Sequence, residues 1–454
     1  MTTGTCAAII LAAGKGTRMK SNLPKVLHPV ANRPMISHLL DTVTALSPDK
    51  TIVVISPKMG DVAETVAPVK VVEQREQLGT GHAVLAARDA IEEFTGDILV
   101  LYGDTPLLTA ATLQKMFAMR RGDGNPAIVV LGFRPEEPGE YGRVVIGSGG
   151  RLEAIVEYRD ASSQQRKLDL CNAGIMVIDG AHLFALLDAV GNDNPKGEFY
   201  LTDIIEIAVS RGLKCGIVEA NDPAEVMGIN SRRQLADAEA AMQRRLRAEA
   251  MEIGVTMIDP DTVWLSADTK LGRDVSIEPN VFFGPGVTIG DNVQVRSFCY
   301  IEGTQVASNA VVGPFARLRS GTKLENGVRV GNFVEIKEAL IEQNTKINHL
   351  SYIGDARIGP RTNIGAGVIT CNYDGFSKDR TDVGAGAFIG SNTALVAPIN
   401  IGDGAIIGAG SVITSDVGAH ALGIARGRQR NIEDRAKSFR SRRQTKKDVE
   451  PKKK

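Results

Sequence analysis

The sequence predicts an α/β protein of two unlike parts, a doubly wound α/β domain followed by a parallel β-solenoid. Three observations carry this. Short aliphatic strands alternate with amphipathic stretches through residues 1–230. One helical pattern without Gly or Pro follows over 231–253. An aliphatic residue then recurs every six positions for about 140 residues, a self-similarity that indicates stacked coils.

A chain of 454 residues exceeds one ordinary core, so two domains are expected on length alone. In the first half, Ala7–Leu11, Thr51–Ile55, Ile98–Tyr102 and Ala127–Leu131 read as strands of one sheet. Ser231–Ile253 reads as a linker helix that ends before Gly254. Beyond it, Leu271, Ile277, Phe283, Ile289, Val295 and Ile301 are six consecutive hexads. A second phase runs Val306, Val312, Leu318, Leu324, Val330 and Ile336. The period resumes at Ile341, Ile347 and Ile353, again at Ile358 and Ile364, and later from Val383 to Ile413. The polar segment Cys371–Arg380 breaks it and is expected to loop out. The expected domains are therefore 1–230, the linker 231–254, the solenoid 255–430 and a tail 431–454.

Formal charge is zero, but the last twenty residues hold ten Lys/Arg and two Asp/Glu. With so few apolar residues, this tail reads as solvated and disordered. A grip on nucleic acid or anionic lipid is the alternative, and neither nucleic acid nor membrane is the expected partner. Five scattered cysteines without a CxxC support neither a disulfide framework nor a zinc site. The first apolar run, Ala7–Ala13, is too short to span a bilayer and lacks a basic leader, so a cytoplasmic enzyme is expected.

Strand Ala7–Leu11 enters the glycine-rich turn Ala12-Ala13-Gly14-Lys15-Gly16-Thr17-Arg18-Met19, whose backbone N–H groups can approach phosphate. Leu23-Pro24-Lys25-Val26-Leu27 follows, and Arg18 and Lys25 bring two cations to the same turn. Strand Ile98–Leu101 ends in Tyr102-Gly103-Asp104, where an open α/β sheet binds its ligand. Asp104 is a candidate metal ligand, although Asp104-Thr105-Pro106 would equally open a helix.

LAAGKGTRM with LPKVL resembles the sugar-phosphate nucleotidyltransferase family. The resemblance implies that Leu11, Ala12, Ala13, Gly14, Arg18 and Lys25 hold the triphosphate. Gln74 with Gln77-Leu78-Gly79-Thr80-Gly81-His82 resembles the loop that holds uracil, which marks Gln74, Gly79 and Thr80; His82 itself reads as structural. Gly142, Glu157 and Asn172 resemble the sugar-binding residues, Tyr102, Gly103 and Asp104 the strand end, and Asp104 with Asn230 the ligands of Mg²⁺.

The hexads resemble the left-handed parallel β-helix of hexapeptide-repeat proteins, from which the hand is inferred. Within them, Arg319 and Lys337 each follow an inward aliphatic, eighteen residues apart, and should stack on adjacent coils about 4.8 Å apart. Two cations so close repel unless an anion lies between them; a bound sugar phosphate is the expectation, and a solvated charged face the alternative. The strings GPFARLR, VGNFVEIK, NHLSYIGD, NIGAG and TCNYDG follow in order. With the first half, they resemble the family of bifunctional enzymes that acetylate glucosamine 1-phosphate with acetyl-CoA and then uridylylate the product with UTP. The products would feed peptidoglycan and lipopolysaccharide synthesis. An amine attacking a thioester needs a base near neutrality, and His349 is the candidate. The resemblance places Arg319, Lys337, Tyr352 and Asn363 at the acceptor, and Ala366, Asn372, Tyr373, Ser391, Ala409 and Arg426 at acetyl-CoA. It also implies a homotrimer. A single-function nucleotidyltransferase with a trimerising or regulatory β-helix remains the alternative.

Overall fold

The computed structural model describes residues 5–147 and 150–449. They divide into two compact units, Met1–Ile253 with Val263–Thr269, and Gly254–Thr262 with Lys270–Lys454.

The first unit is built on a mixed sheet. Its order is Cys215–Glu219, Ile128–Phe133, Cys171–Asp179, Asp97–Tyr102, Cys6–Leu11, Lys50–Ile55 and Lys70–Glu73. Helices cover two separate apolar clusters, one on each set of alternating side chains: Ala7, Ile9 and Leu11 belong to one, Ala8 and Ile10 to the other. The four strands read from sequence are all present. Strand Cys171–Asp179 was not among them, and it runs antiparallel to both neighbours. A hairpin, Arg143–Ile146 with Leu152–Val156, hangs from its N-terminal end.

The helix expected over Ser231–Ile253 spans Arg232–Glu252, capped by the Ser231 side chain accepting from Gln234 N. It packs within the first unit and does not stand free as a linker. Ala238 and Met242 join Val30, Met35 and Leu107 in a third apolar cluster. Gln243 is 2% exposed and holds the returning chain, donating to Leu265 O and accepting from Leu265 N. Eleven of the helix's 21 residues are polar or charged, so composition alone conceals this docking face.

The second unit is a parallel β-helix. Along one face Ile277, Val295, Val312, Val330, Ile347, Ile364, Ile389 and Ile407 pair successively in register. All are buried, as periodic inward residues must be. Corner hydroxyls are satisfied by carbonyls of the next coil: Thr345 Oγ1 donates to Gly359 O at 2.9 Å and Thr362 Oγ1 to Gly384 O at 2.7 Å. The step from Ile364 to Ile389 skips the segment Cys371–Arg380, which leaves the prism as expected and carries Phe376 at 96% exposure.

The tail departs from expectation. Arg435–Val449 is an α-helix, and its described side chains are exposed. Ala, Arg, Lys and Gln without Gly or Pro favour helix locally, and the absence of an apolar stripe leaves it nothing to dock with. Residues 450–454 of the expected tail lie outside the described residues.

Ile336 sits in the solenoid core with no exposed surface. Ile336→Ala is expected to cost about 2–5 kcal/mol, seen as a lower urea midpoint for this unit. A loss well under 1 kcal/mol would contradict the packing described.

Candidate active sites

In the first unit, strands Cys6–Leu11, Lys50–Ile55 and Asp97–Tyr102 lie side by side and end at one edge. Ala12 N donates to Val54 O at 2.8 Å and Gly103 N to Leu11 O at 2.9 Å, which fixes the start of each loop. A cavity of about 650 Å³ opens there. Every residue expected at the nucleotidyl site lines it except Arg18 and Gly103. Arg18 is exposed on the short turn Thr17–Met19. Gly103 lies behind the wall, where a Cβ would meet Val26 Cγ1 at 3.0 Å.

The cationic centre is Lys25. Its ammonium donates to Asp104 Oδ2 at 2.5 Å and to Asn230 Oδ1 at 3.0 Å. Residues 126 positions apart in the chain thus converge on one positive atom. Backbone does the positioning: Ile229 N donates to Asp104 O at 3.0 Å, which ties the Asn230 loop to the strand end. Gly16, at φ 58, lies so close to Lys25 that a Cβ would stand 2.8 Å from Lys25 Cβ.

At the far end, Asn172 N donates to Gly142 O at 2.9 Å, and Asn172 Oδ1 accepts from Gly174 N at 2.9 Å. Burial holds the Glu157 carboxyl above its ordinary range, with Asp160 and Glu198 adding to it and Lys196 opposing. Burial likewise pushes the Tyr102 phenol well above its usual value, so it stays protonated as a donor. Sequence reasoning missed the Arg143 side chain. Only 2% exposed, it donates to Gly139 O at 2.9 Å and to Tyr141 O, and so braces the loop that carries Gly142. Its place directly after the candidate Gly142 in Tyr141-Gly142-Arg143 was the available signal.

The second unit aligns its candidates by register. Asn332 pairs with His349, and Ile347, Ile364, Ile389 and Ile407 pair in turn. Asn332, His349, Ala366, Ser391 and Ala409 each stand two places after such a residue and form one column down a corner. Backbone bonds confirm it: Leu350 N to Asn332 O, Gly367 N to His349 O, Asn392 N to Ala366 O and Gly410 N to Ser391 O. Arg426 Nη1 closes the lower end on Ala409 O at 2.8 Å.

Leu318 pairs with Ile336, so Arg319 and Lys337 do stand on adjacent coils. The anion beside them is Glu335, which sequence reasoning missed: Arg319 Nη1 lies 2.9 Å from its carboxylate. Lys337 pairs with Gly354, over which the Tyr352 ring lies. Asn363 pairs with Lys346 on the His349 face, one coil on. Asn372 is 9% exposed and donates to Asp355, whereas Tyr373 is 60% exposed and donates to Gly375 O at 2.7 Å.

His349 Nδ1 lies 2.7 Å from Asn332 Oδ1. An amide oxygen only accepts, so Nδ1 carries the proton and Nε2 keeps its lone pair. Asn332 was missed as well, although its seventeen-residue distance from His349 is one coil.

Two family models match the chain: the MobA-like NTP transferase domain over residues 8–172, and the bacterial transferase hexapeptide (six repeats) over 268–303 and 380–415. The solenoid is thus a left-handed parallel β-helix of the hexapeptide type. The chain is 58% identical over 447 residues to the bifunctional protein GlmU of Paramagnetospirillum magneticum, covering 98% of this chain and 99% of that one. It is 58% identical over 421 residues to the protein of the same name from Rhodospirillum rubrum, covering 93% and 94%. For that from Zymomonas mobilis the identity is 48% over 444 residues, covering 97% and 98%.

Two predictions follow from this geometry. Asn332→Ala removes the acceptor that sets the His349 tautomer and should lower acetyl-transfer kcat about tenfold or more with little change in acceptor KM, measured by steady-state kinetics. An unchanged kcat would contradict that role. Asp203, beside Glu157, is pushed up to about 6, by burial first and then by Glu157, Glu206 and Asp160. A raised carboxyl binds its proton more tightly when folded, so stability falls as pH rises through about 4 to 6 and stays low above. Asp203→Asn should therefore raise the melting temperature at pH 8, by no more than about 3 kcal/mol of stability, and leave it unchanged near pH 3.5. Equal shifts at both pH values would contradict the assignment.

Proposed function

The chain belongs to the GlmU family of bifunctional proteins, and from that premise we propose how its two sites divide the work. The protein is an enzyme with two transferase activities, a uridyltransferase and an acetyltransferase, on the path to UDP-N-acetylglucosamine for cell-wall synthesis. In our reading the second unit transfers acetyl from acetyl-CoA to glucosamine 1-phosphate. The first then transfers uridylyl from UTP to the resulting N-acetylglucosamine 1-phosphate. The observation that carries this division is the pair of separately built sites, one cavity around Lys25 and one column headed by His349.

For acetyl transfer, Arg319 and Lys337 take the acceptor phosphate, with Arg319 exchanging Glu335 for it. The 2-amino group attacks the thioester carbonyl while His349 Nε2 removes its proton, and the CoA thiolate leaves. The small residues Ala366, Ser391 and Ala409 leave a groove for the pantetheine arm, and Arg426 answers the CoA phosphates, with Asn372 and Tyr373 beside the acetyl group. No covalent enzyme intermediate is needed, and Cys371 is given no role.

For uridylyl transfer, the phosphate oxygen of the sugar 1-phosphate attacks the α-phosphorus of UTP, and pyrophosphate leaves. Ala13 and Gly14 backbone N–H groups, Lys25 and Arg18 hold the triphosphate in line, with Leu11 and Ala12 lining the cavity beneath it; Gly142, Glu157 and Asn172 hold the sugar. Asp104 and Asn230 would hold Mg²⁺, which supplies charge compensation on the phosphates. Their fit is supported by two hard oxygens already converging on one cationic atom.

The assembly we propose is a homotrimer whose neighbouring subunits complete the acetyl site. In support, Phe298, Phe315 and Phe333 stack at 4.8 and 5.1 Å, at least 45% exposed, and Phe333 and Leu350 immediately follow Asn332 and His349. A cytoplasmic location is supported by five free cysteines, and no helix among the described residues is long and apolar enough to cross a membrane.

His349→Ala should abolish acetyl transfer and preserve uridylyl transfer, and Asp104→Ala should do the reverse, each by at least about a hundredfold when the two reactions are assayed separately. Retention of full acetyl transfer by His349→Ala would overturn the second site.

A further inference from the structure

Gln74 is 4% exposed and lines the cavity, and its amide is held in one orientation. Nε2 donates to Gly79 O at 3.0 Å and lies 3.1 Å from His82 Nδ1. A carbonyl oxygen can only accept, so the NH₂ end of Gln74 must face Gly79. The second amide hydrogen then goes to His82, whose Nδ1 has to be the unprotonated nitrogen, with the proton on Nε2. Both donors are spent on protein, and Oε1 is left as the group that Gln74 offers a ligand. Turning the amide over would set Oε1 against the Gly79 carbonyl, acceptor against acceptor. Gly79 is held from both sides by Phe199, whose N donates to Leu78 O at 2.7 Å and whose O accepts from Gly81 N at 2.8 Å.

We propose that His82 is a positioning residue for base selection, fixing Gln74 so that the pocket presents an acceptor to the nucleotide base. The inference rests on the uridylyl-transfer reading. Uracil carries N3–H, a donor that Oε1 can accept; cytosine carries a bare N3, which would face Oε1 as acceptor against acceptor. A site built around one fixed acceptor discriminates because the mismatched base leaves a buried polar group unpaired. His82 thereby contributes to UTP over CTP without touching the base.

The test uses the full-length enzyme, with kcat/KM measured for UTP and CTP. His82→Phe keeps a ring beside Phe199, whose centroid is 6.5 Å from that of His82, but removes the acceptor. His82→Asn places an amide oxygen where Nδ1 stood. The expected result is a UTP/CTP ratio at least about tenfold lower in His82→Phe and within about threefold of the parent in His82→Asn. A ratio unchanged in His82→Phe, with both nucleotides losing rate equally, would overturn the proposal and leave uridylyl transfer standing. A parent enzyme without preference for UTP would instead overturn the uridylyl reading. Should His82→Phe fold poorly, ¹⁵N shifts of histidine-labelled parent protein decide: a protonated Nδ1 on His82 would also overturn it.

Discussion

The second unit depends on one constraint, the parallel register between coils. Every inward aliphatic must stack on the one a coil before it, because a slip by one residue would turn the buried side chain outward. Once that register holds, side chains at a constant offset are forced into columns. Asn332, His349, Ala366, Ser391 and Ala409 are spread over much of the solenoid sequence yet lie along one corner for no reason other than this. The polar insertion after Cys371 is tolerated since it leaves the prism whole and rejoins the pattern in phase, with Ile389 again over Ile364.

The first unit solves a different problem, the gathering of like charge. Phosphates brought together by two substrates would repel, and the cavity at the strand ends holds a half-buried cation, Lys25, already compensated by Asp104 and Asn230. A lysine held by two oxygens is poised to exchange partners when anions arrive, just as Arg319 is held by Glu335 in the other unit. In both units the cation is paired with an internal acceptor, which a phosphate would replace in the proposed reactions.

Much of this was legible in the amino-acid order, and the omissions have physical causes. A six-residue period exposes the solenoid core because only inward positions need to be aliphatic, and it located Arg319 above Lys337. It could not show Glu335, since spacing fixes which coil a residue is on but not where its side chain turns. Strand Cys171–Asp179 escaped because a strand buried on both faces reads alike whichever way it runs. Its N-terminal end holds Asn172 and Gly174, so the sugar end of the cavity could be named by resemblance but not built. His82 shows the same limit at smaller scale. Its place in the loop was evident, yet its bond to Gln74 appears only when both are folded against Gly79. The basic tail was misjudged for another reason: poor prospects for a core do not preclude a local helix.

The central claim is that one chain holds two complete and chemically distinct transfer sites. Supplying the purified protein with glucosamine 1-phosphate, acetyl-CoA, UTP and Mg²⁺ and following products by mass spectrometry tests it most directly. The account predicts UDP-N-acetylglucosamine, with N-acetylglucosamine 1-phosphate accumulating when UTP is withheld. Uridylyl transfer to added N-acetylglucosamine 1-phosphate, with no acetylation of glucosamine 1-phosphate under any condition, would contradict it and reduce the β-helix to a scaffold.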